Sequence, residues 1–175
     1  MRARYVVDTN VLIAASAADP VSPNDIDATP ADPSLRLLVW QWLDRFQRSD
    51  SRLMLDLAGR IYDEYNRRLG FNDFGIQVVM HKWSTAAVDN VHVDYDAHGH
   101  GVLPETLAPV IHDDDDRKMV AAALVSHEQF GEGCIAFAGD TDWHDWEGAL
   151  QDHQVQLEPI IEAWSRKKHA DKRLR

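Results

Sequence analysis

Residues 5–18 read YVVDTNVLIAASAA. The opening run, Tyr5-Val6-Val7, is short, apolar and rich in β-formers, and it stops at an acid, Asp8. From Val11 to Ala18 the composition changes to helix formers, with Thr9 or Asn10 placed to cap the first turn. A buried strand that feeds a helix through an acid is the beginning of a βα unit. The same order recurs downstream. Leu53-Met54-Leu55 reads as a second buried strand, followed by a helix over Leu57–Leu69 that Gly70 stops. A helix over Asp116–Phe130, apolar all round in its MVAAALV segment, precedes a third strand, Ile135–Ala138, which ends at Gly139-Asp140. Short apolar strands alternating with helices predict a parallel sheet with helices on both faces.

The rest of the chain fits around these units. Residues 19–34 hold four prolines and four aspartates and read as a loop, long for a compact domain. Leu35, Leu38, Val39, Trp42, Leu43 and Phe46 then recur at helical spacing, so one face of that helix should be apolar. Ile76–Trp83 reads as another helix, Val88–Tyr95 alternates loosely as a strand, and 96–112 is a Gly-, His- and Pro-containing loop. Val155–Leu157 reads as a last strand, with Pro159 opening a final helix. There is no internal repeat and no sign of a second domain. The expected organisation is one domain over 1–165 and a basic tail over 166–175.

Bulk properties narrow the class. The chain has 175 residues, 45% of them hydrophobic, enough for one core. No run reaches the roughly 18 apolar residues that span a bilayer, and the N-terminus does not have the pattern of a secretory signal. A single cysteine, Cys134, excludes an internal disulfide framework and reads as a small buried residue. The expected setting is a reducing cytoplasm, with no membrane partner. The net charge of −11 is the opposite of a basic nucleic-acid-binding face. Its distribution is uneven. The last ten residues, RKKHADKRLR, hold six Lys/Arg and one Asp, leaving residues 1–165 with 12 basic and 28 acidic residues. In an acidic body some carboxylates serve cations rather than solubility. The tail reads either as a contact for a polyanion or as a segment that folds onto acidic patches.

In an open α/β sheet, ligands bind beyond the carboxyl ends of the strands. Asp8 and Asp140 stand at two such ends. Asp116 opens the buried helix, where the dipole favours its charge, and Glu64 lies in the helix after the second strand. Taken singly, each has an ordinary reading as a turn, cap or surface residue. Together they form the kind of oxygen-ligand set that a hard dication takes, and several carboxylates at one place repel unless a cation compensates them.

Four segments resemble the PIN-domain nucleases, in that family's order and over residues 5–143. VVDTNVLIAA is similar to its opening strand and helix, IYDEYNRRL to its second acidic position, DDDDRKMVAAAL to its third and FAGDTDW to its fourth. The resemblance implies a three-layer α/β/α sandwich with a central parallel sheet. It implies Mg²⁺- or Mn²⁺-dependent hydrolysis of phosphodiesters, usually in RNA, with 5′-phosphate and 3′-hydroxyl products. It implies catalytic roles for Asp8, Glu64, Asp116 and Asp140. Metal ligation falls to Asp8, Asp116 and Asp140, with Asp115 as the alternate register in the acidic run and Asp142 as a further acid. Thr9 and Asn10 match the family's polar pair after the first acid, and Trp143 stands where it could stack on a base. Many members are the toxin halves of toxin–antitoxin pairs, so the partners to look for are an RNA substrate, an antitoxin protein and a second copy of the chain. The loops at 19–34 and 96–112 depart from the family pattern.

Three rival readings compete. A PIN-like fold that binds RNA or a partner without cutting keeps the same acids. A haloacid-dehalogenase-like phosphohydrolase also has an acid after its first strand, but it needs a second acid two residues on, where this chain has Asn10. A zinc site near Asp96, His98 and His100 fits no structural zinc spacing, and a solvated loop is the simpler reading of that stretch. Trp42, Trp83 and Trp164 are expected as core anchors, and His144 lies close to the fourth acidic segment.

Overall fold

A computed structural model describes residues 1–21 and 27–174. Part of the Pro/Asp loop (22–26) and Arg175 of the tail lie outside the described residues. The chain opens with β1 (Arg4–Val7) and α1 (Thr9–Ala17), then α2 (Pro33–Arg48), β2 (Arg52–Asp56), α3 (Arg60–Arg68), α4 (Phe74–Ser84) and β3 (Val88–Val91). A long connection leads to α5 (Arg117–Phe130), β4 (Gly133–Phe137), α6 (Trp143–Asp152), β5 (Val155–Pro159) and α7 (Glu162–Arg173). The five strands form one sheet in the order β3-β2-β1-β4-β5, and every pairing is parallel. With helices on both faces this is a three-layer α/β/α sandwich.

The order of the strands positions the site. From β1 the chain winds outward through β2 to β3, then returns to place β4 on the other side of β1 and winds outward again to β5. The direction of winding reverses between β1 and β4. At such a switch point the two adjoining connections leave in opposite directions and open a crevice at the carboxyl ends of the strands. Asp8 follows β1 and Asp140 follows β4. Register brings them together, with Val7 opposite Ala136 and the Asp8 N–H donating to Ala136 O at 2.9 Å.

The central strands are buried on both faces, which explains why YVV and CIAF are continuous apolar runs. Helix α5 packs against β1, β2 and β4, so Met119–Ala123 is buried all round as its composition predicts. Tyr5, Trp42 and Phe46 form an aromatic group in edge and stacked geometry beneath α2. Cys134 is buried, and that burial pushes its thiol up to about 12, so it is inert packing.

Several sequence expectations differ from the structure for local reasons. Asp8 itself caps α1, its carboxylate accepting from Asn10 N–H at 3.0 Å, so neither Thr9 nor Asn10 does. Helix α3 begins at Arg60 rather than Leu57, because the buried Asp56 carboxylate accepts from Arg60 N–H and Ile61 N–H and fixes the start there. The loose alternation at 88–95 yields only Val88–Val91 as strand. Pro159 ends β5 instead of opening a helix, since as an edge-strand residue it need not donate. Helix α6 lies over WHDWEGALQD, a stretch with no clear stripe in the sequence. Leu38, counted in the α2 stripe, is 49% exposed, and Trp83, expected as a core anchor, is 43% exposed. Trp164 is half-buried beneath the Lys168 ammonium. Among the described residues no helix is long and apolar enough to cross a membrane.

Candidate functional site

The crevice at the β1/β4 switch point is a pocket of about 380 Å³. Asp8, Glu64, Asp116 and Asp140 line it together with Thr9, Asn10, Asp113, Asp115, Arg67 and Arg68. The tertiary structure therefore gathers acids that stand up to 132 positions apart in the sequence (Asp8 to Asp140) into one wall.

Each acid is delivered differently. Asp8 is 3% exposed, and both of its oxygens are held, Oδ1 by Asn10 N–H at 3.0 Å and Oδ2 by Trp143 Nε1–H at 3.0 Å. Asp140 arrives after Gly139, where any Cβ would collide with the Thr29 carbonyl; only glycine lets the segment around Thr29 pack so closely beside the fourth acidic segment. The Asp140 carboxylate accepts from Asp142 N–H at 2.9 Å. Asp116 stands at the start of α5, with Met119 N–H and Val120 N–H donating to its backbone oxygen. Glu64 comes from the middle of α3. It accepts from Thr9 Oγ1–H and forms an ion pair with Lys118 Nζ at 2.5 Å.

Burial sets the electrostatics. Loss of solvent pushes the Asp8 carboxyl up, the nearby Asp140 charge adds to the rise, and the Asn10 and Trp143 donors oppose it. Burial likewise pushes Asp116 up, reinforced by the charges of Asp8 and Asp140. Asp140 rises for the same first reason, with Asp142 and Asp113 adding to it and Lys172 opposing. Burial is the first cause for all three carboxyls and the charges of neighbouring acids add to it, so a hard cation held among them would offset both.

The donor set suits a hard dication. The acids offer only oxygen, and among the described residues no histidine or cysteine lines the pocket, a donor set that fits Mg²⁺ or Mn²⁺ better than zinc. Among the described residues no three His, Cys, Asp or Glu side chains already converge on one point at ligand distance. The same holds for the stretch around His98 and His100, where the Asp96 carboxylate is occupied by His98 N–H and His100 N–H in a turn.

Several sequence-derived assignments change. Trp143 is fully buried against Trp146 and Phe137, so it cannot stack on a base; its indole instead holds Asp8. Thr9 is buried and positions Glu64, while the backbone of Asn10 positions Asp8. Asp142 is not part of the pocket lining. Its carboxylate takes Lys172 Nζ at 2.5 Å, which removes it from the set of free acids. In the acidic run, Asp116 is half-buried and faces Asp8 and Asp140, whereas Asp115 is exposed on the outer wall. His144 lies away from the pocket, with Nε2 at 2.9 Å from Ser165 Oγ.

The sequence reading missed four participants. Lys118 is 6% exposed, bonded to Asp115 O and paired with Glu64. Its place in DDDDRKM was visible, but a lysine in a helix gives no signal that it will turn inward. Asp113 adds another carboxylate to the wall. Arg67 and Arg68 stand at the rim, one helical turn from Glu64, a spacing that IYDEYNRRL carries.

The tail is not separate from the domain. Residues 162–173 form α7, whose side chains reach acids on α6 and just before it. Arg166 reaches Glu147 at 3.0 Å, His169 reaches Asp145 at 2.8 Å and Lys172 reaches Asp142 at 2.5 Å. Of the two readings open for this segment, the one in which it folds onto acidic patches of its own chain describes these residues. No family model matches this chain, and no curated protein and no solved structure matches it.

Proposed function

We propose that this chain is a metal-dependent nuclease of the PIN-domain kind, hydrolysing phosphodiester bonds, with RNA as the substrate class. The observation that carries the reading is the convergence of Asp8, Asp116 and Asp140. They come from a strand end, a helix start and a second strand end, and their carboxyls, each pushed up chiefly by burial, line one crevice.

Asp8, Asp116 and Asp140 would hold Mg²⁺ or Mn²⁺. Bound there, a hard dication supplies an activated water and compensation for the charge that builds on a phosphoryl group. The protein groups do the rest. Trp143 and the Asn10 backbone hold both Asp8 oxygens at fixed positions, so the first acid need not reorganise. Thr9 and Lys118 hold the Glu64 carboxylate in place at the pocket. Arg67 and Arg68 at the rim balance an approaching polyanion that the acidic body would otherwise repel. RNA rather than DNA, and the role of a toxin restrained by an antitoxin, rest on the resemblance of the four sequence segments.

The test is direct. A 5′-labelled single-stranded RNA oligonucleotide is incubated with the purified protein in MnCl₂, in MgCl₂ and in EDTA. Cleavage with either metal, leaving 5′-phosphate ends, that disappears in EDTA and in Asp8→Asn supports the reading. Metal-induced stabilisation without cleavage of RNA or DNA would replace it with a binding protein of the same fold.

A further inference from the structure

Beside the acidic pocket lies a second groove of about 530 Å³, and the two share Arg67 and Asp115. One wall is α3, which contributes Arg60, Asp63, Asn66 and Arg67; Lys118 stands at the floor. The other wall is the turn at 95–101, which contributes His98 and His100. We infer that this groove is the phosphate track of the substrate, carrying the strand away from the acidic pocket along α3. This inference rests on the nuclease reading for its direction, and on the groove's own charges for its ligand.

Several of the molecule's cations are spent on its own acids: Arg4 and Arg52 on Asp89, Arg166 on Glu147, Lys172 on Asp142. Among the described residues no carboxylate pairs with Arg60, Arg67 or Arg68. Arg60 and Arg67 are seven residues apart, two helical turns, with Glu64 between them, so all three project along one face of α3. That face runs from the acidic pocket into the groove. Unpaired guanidiniums in a row, on a chain of net charge −11, mark where a polyanion is accepted.

The opposite wall is built, not incidental. Tyr95 pairs with Gly101 in an antiparallel bridge, and the Asp96 carboxylate closes the turn on His98 N–H and His100 N–H. Tyr95 Oη–H donates to Asp56 at 2.8 Å, the same carboxylate that caps α3, so turn and helix share one anchor. Arg60 lies over the Tyr95 ring at 4.6 Å. Gly99 has φ +88°, and a Cβ there would meet the Arg60 guanidinium at 2.6 Å. The turn is shaped to let this arginine lie against it with its charge still open to the groove. The 96–112 connection, which departs from the family pattern, thus has a use as the second wall.

The experiment uses Asp8→Asn protein, which cannot cut, and a fluorescein-labelled 12-nucleotide single-stranded RNA, with DNA of the same sequence as a second probe. Anisotropy is read at two salt concentrations for this parent, for the parent with Arg60→Gln/Arg67→Gln, and for the parent with Lys167→Gln/Lys168→Gln on α7. The groove predicts that the α3 pair weakens binding about tenfold and flattens the salt slope by about 1.4, two contacts at roughly 0.7 each. The α7 pair should change neither. Arg67→Gln alone, a change at an exposed residue with no partner to lose, should give about half the change in slope. Binding by RNA or by DNA supports the groove, and the better probe names the sugar. Parent affinity and slope in the α3 variant, or no binding by either probe, overturn it. Cleavage on the Asp8 background tests the other reading separately: a protein that cuts but whose KM ignores Arg60→Gln/Arg67→Gln keeps its nuclease assignment and loses the groove. A protein that never cuts but binds through α3 keeps the groove and loses the nuclease.

Discussion

The indole N–H of Trp143 donates to Asp8 Oδ2 at 3.0 Å across 135 residues of sequence. Both groups are buried, and the bond ties the first acid directly to α6. A hydrogen bond to a buried charged group stabilises more than a neutral one, because the donor also offsets lost solvation. Trp143→Phe keeps the ring in the aromatic group and removes the donor. We expect about 1–3 kcal/mol lower stability near neutral pH, and a smaller rise in melting temperature on adding Mn²⁺. A melting temperature equal to the parent's in both conditions would show that the indole does not hold Asp8.

Both oxygens of Asp8 accept, so Asp8→Asn is not a neutral swap. Its amide offers one acceptor and one NH₂, and either the Asn10 or the Trp143 donor must then face a donor. Against that loss stands relief from the charges of Asp140 and Asp116. The balance depends on pH. Near pH 5 the buried Asp8 is protonated already and only the lost bond counts, so the variant should melt below the parent. Near pH 8 relief of repulsion outweighs it and the order should reverse or close. Cleavage should be absent at both. Thermal melts in EDTA at the two pH values decide the first point, and a variant that cuts at the parent's rate would remove Asp8 from the site.

The raised carboxyls make the metal-free protein sensitive to base. The Asp8 carboxyl moves from 3.8 to about 7 on folding, with burial as the largest cause. Between those values the folded chain binds protons that the unfolded chain has released. Native proton excess means that stability falls as pH rises, so the contribution is fully present below 3.8 and lost as pH passes about 7. Asp116 is raised also and extends the loss in the same direction. In EDTA the melting temperature should fall steadily from about pH 5 to pH 8. Millimolar Mg²⁺ should flatten that fall, because a ligand of the folded state alone stabilises by mass action. A flat profile in EDTA would mean that the acids do not face one another unpaired.

The register of the acidic run is testable in the same assay. Asp116 is half-buried towards Asp8 and Asp140, while Asp115 is exposed and its backbone oxygen is taken by Lys118. Asp116→Asn should remove most of the metal-induced rise in melting temperature and Asp115→Asn little of it. The reverse order would shift the ligand by one residue.

The basic tail should serve stability more than RNA. Arg166 and Lys172 are paired with Glu147 and Asp142, and His169 contacts Asp145, so these side chains are engaged within the chain. Exposed pairs each contribute about 0.2–1 kcal/mol, and about 1 kcal/mol shifts the midpoint of a chain this size by roughly 2–4 °C. Deleting residues 166–175 should lower the melting temperature by a few degrees, increasingly so at low salt, and leave oligonucleotide affinity within about twofold. Lost affinity with unchanged stability would restore the tail as an RNA contact.

The sequence by itself determined the βα alternation of a parallel sheet and the places of three acids along it. Runs such as YVV, LML and IAFA read as strands buried on both faces, and βα alternation makes those strands parallel. A parallel strand order that reverses puts its crevice at the carboxyl ends, where Asp8 and Asp140 already stood in the sequence. Asp116 was legible as the start of a helix apolar all round. What only the tertiary structure decided is what each acid touches. The donor on Asp8 comes from Trp143, the partner of Glu64 from Lys118 and the partner of Asp142 from Lys172, all of them far along the chain or turned inward by packing. Nothing local distinguishes a tryptophan that will hold a carboxylate from one that will stack on a base, because burial is set by the neighbouring elements. The charge of the tail was likewise plain in RKKHADKRLR, but whether it meets RNA or α6 depends on which acids α7 lies against. That is a property of the packed layers, and it leaves the unpaired arginines of α3, not those of the tail, facing the groove.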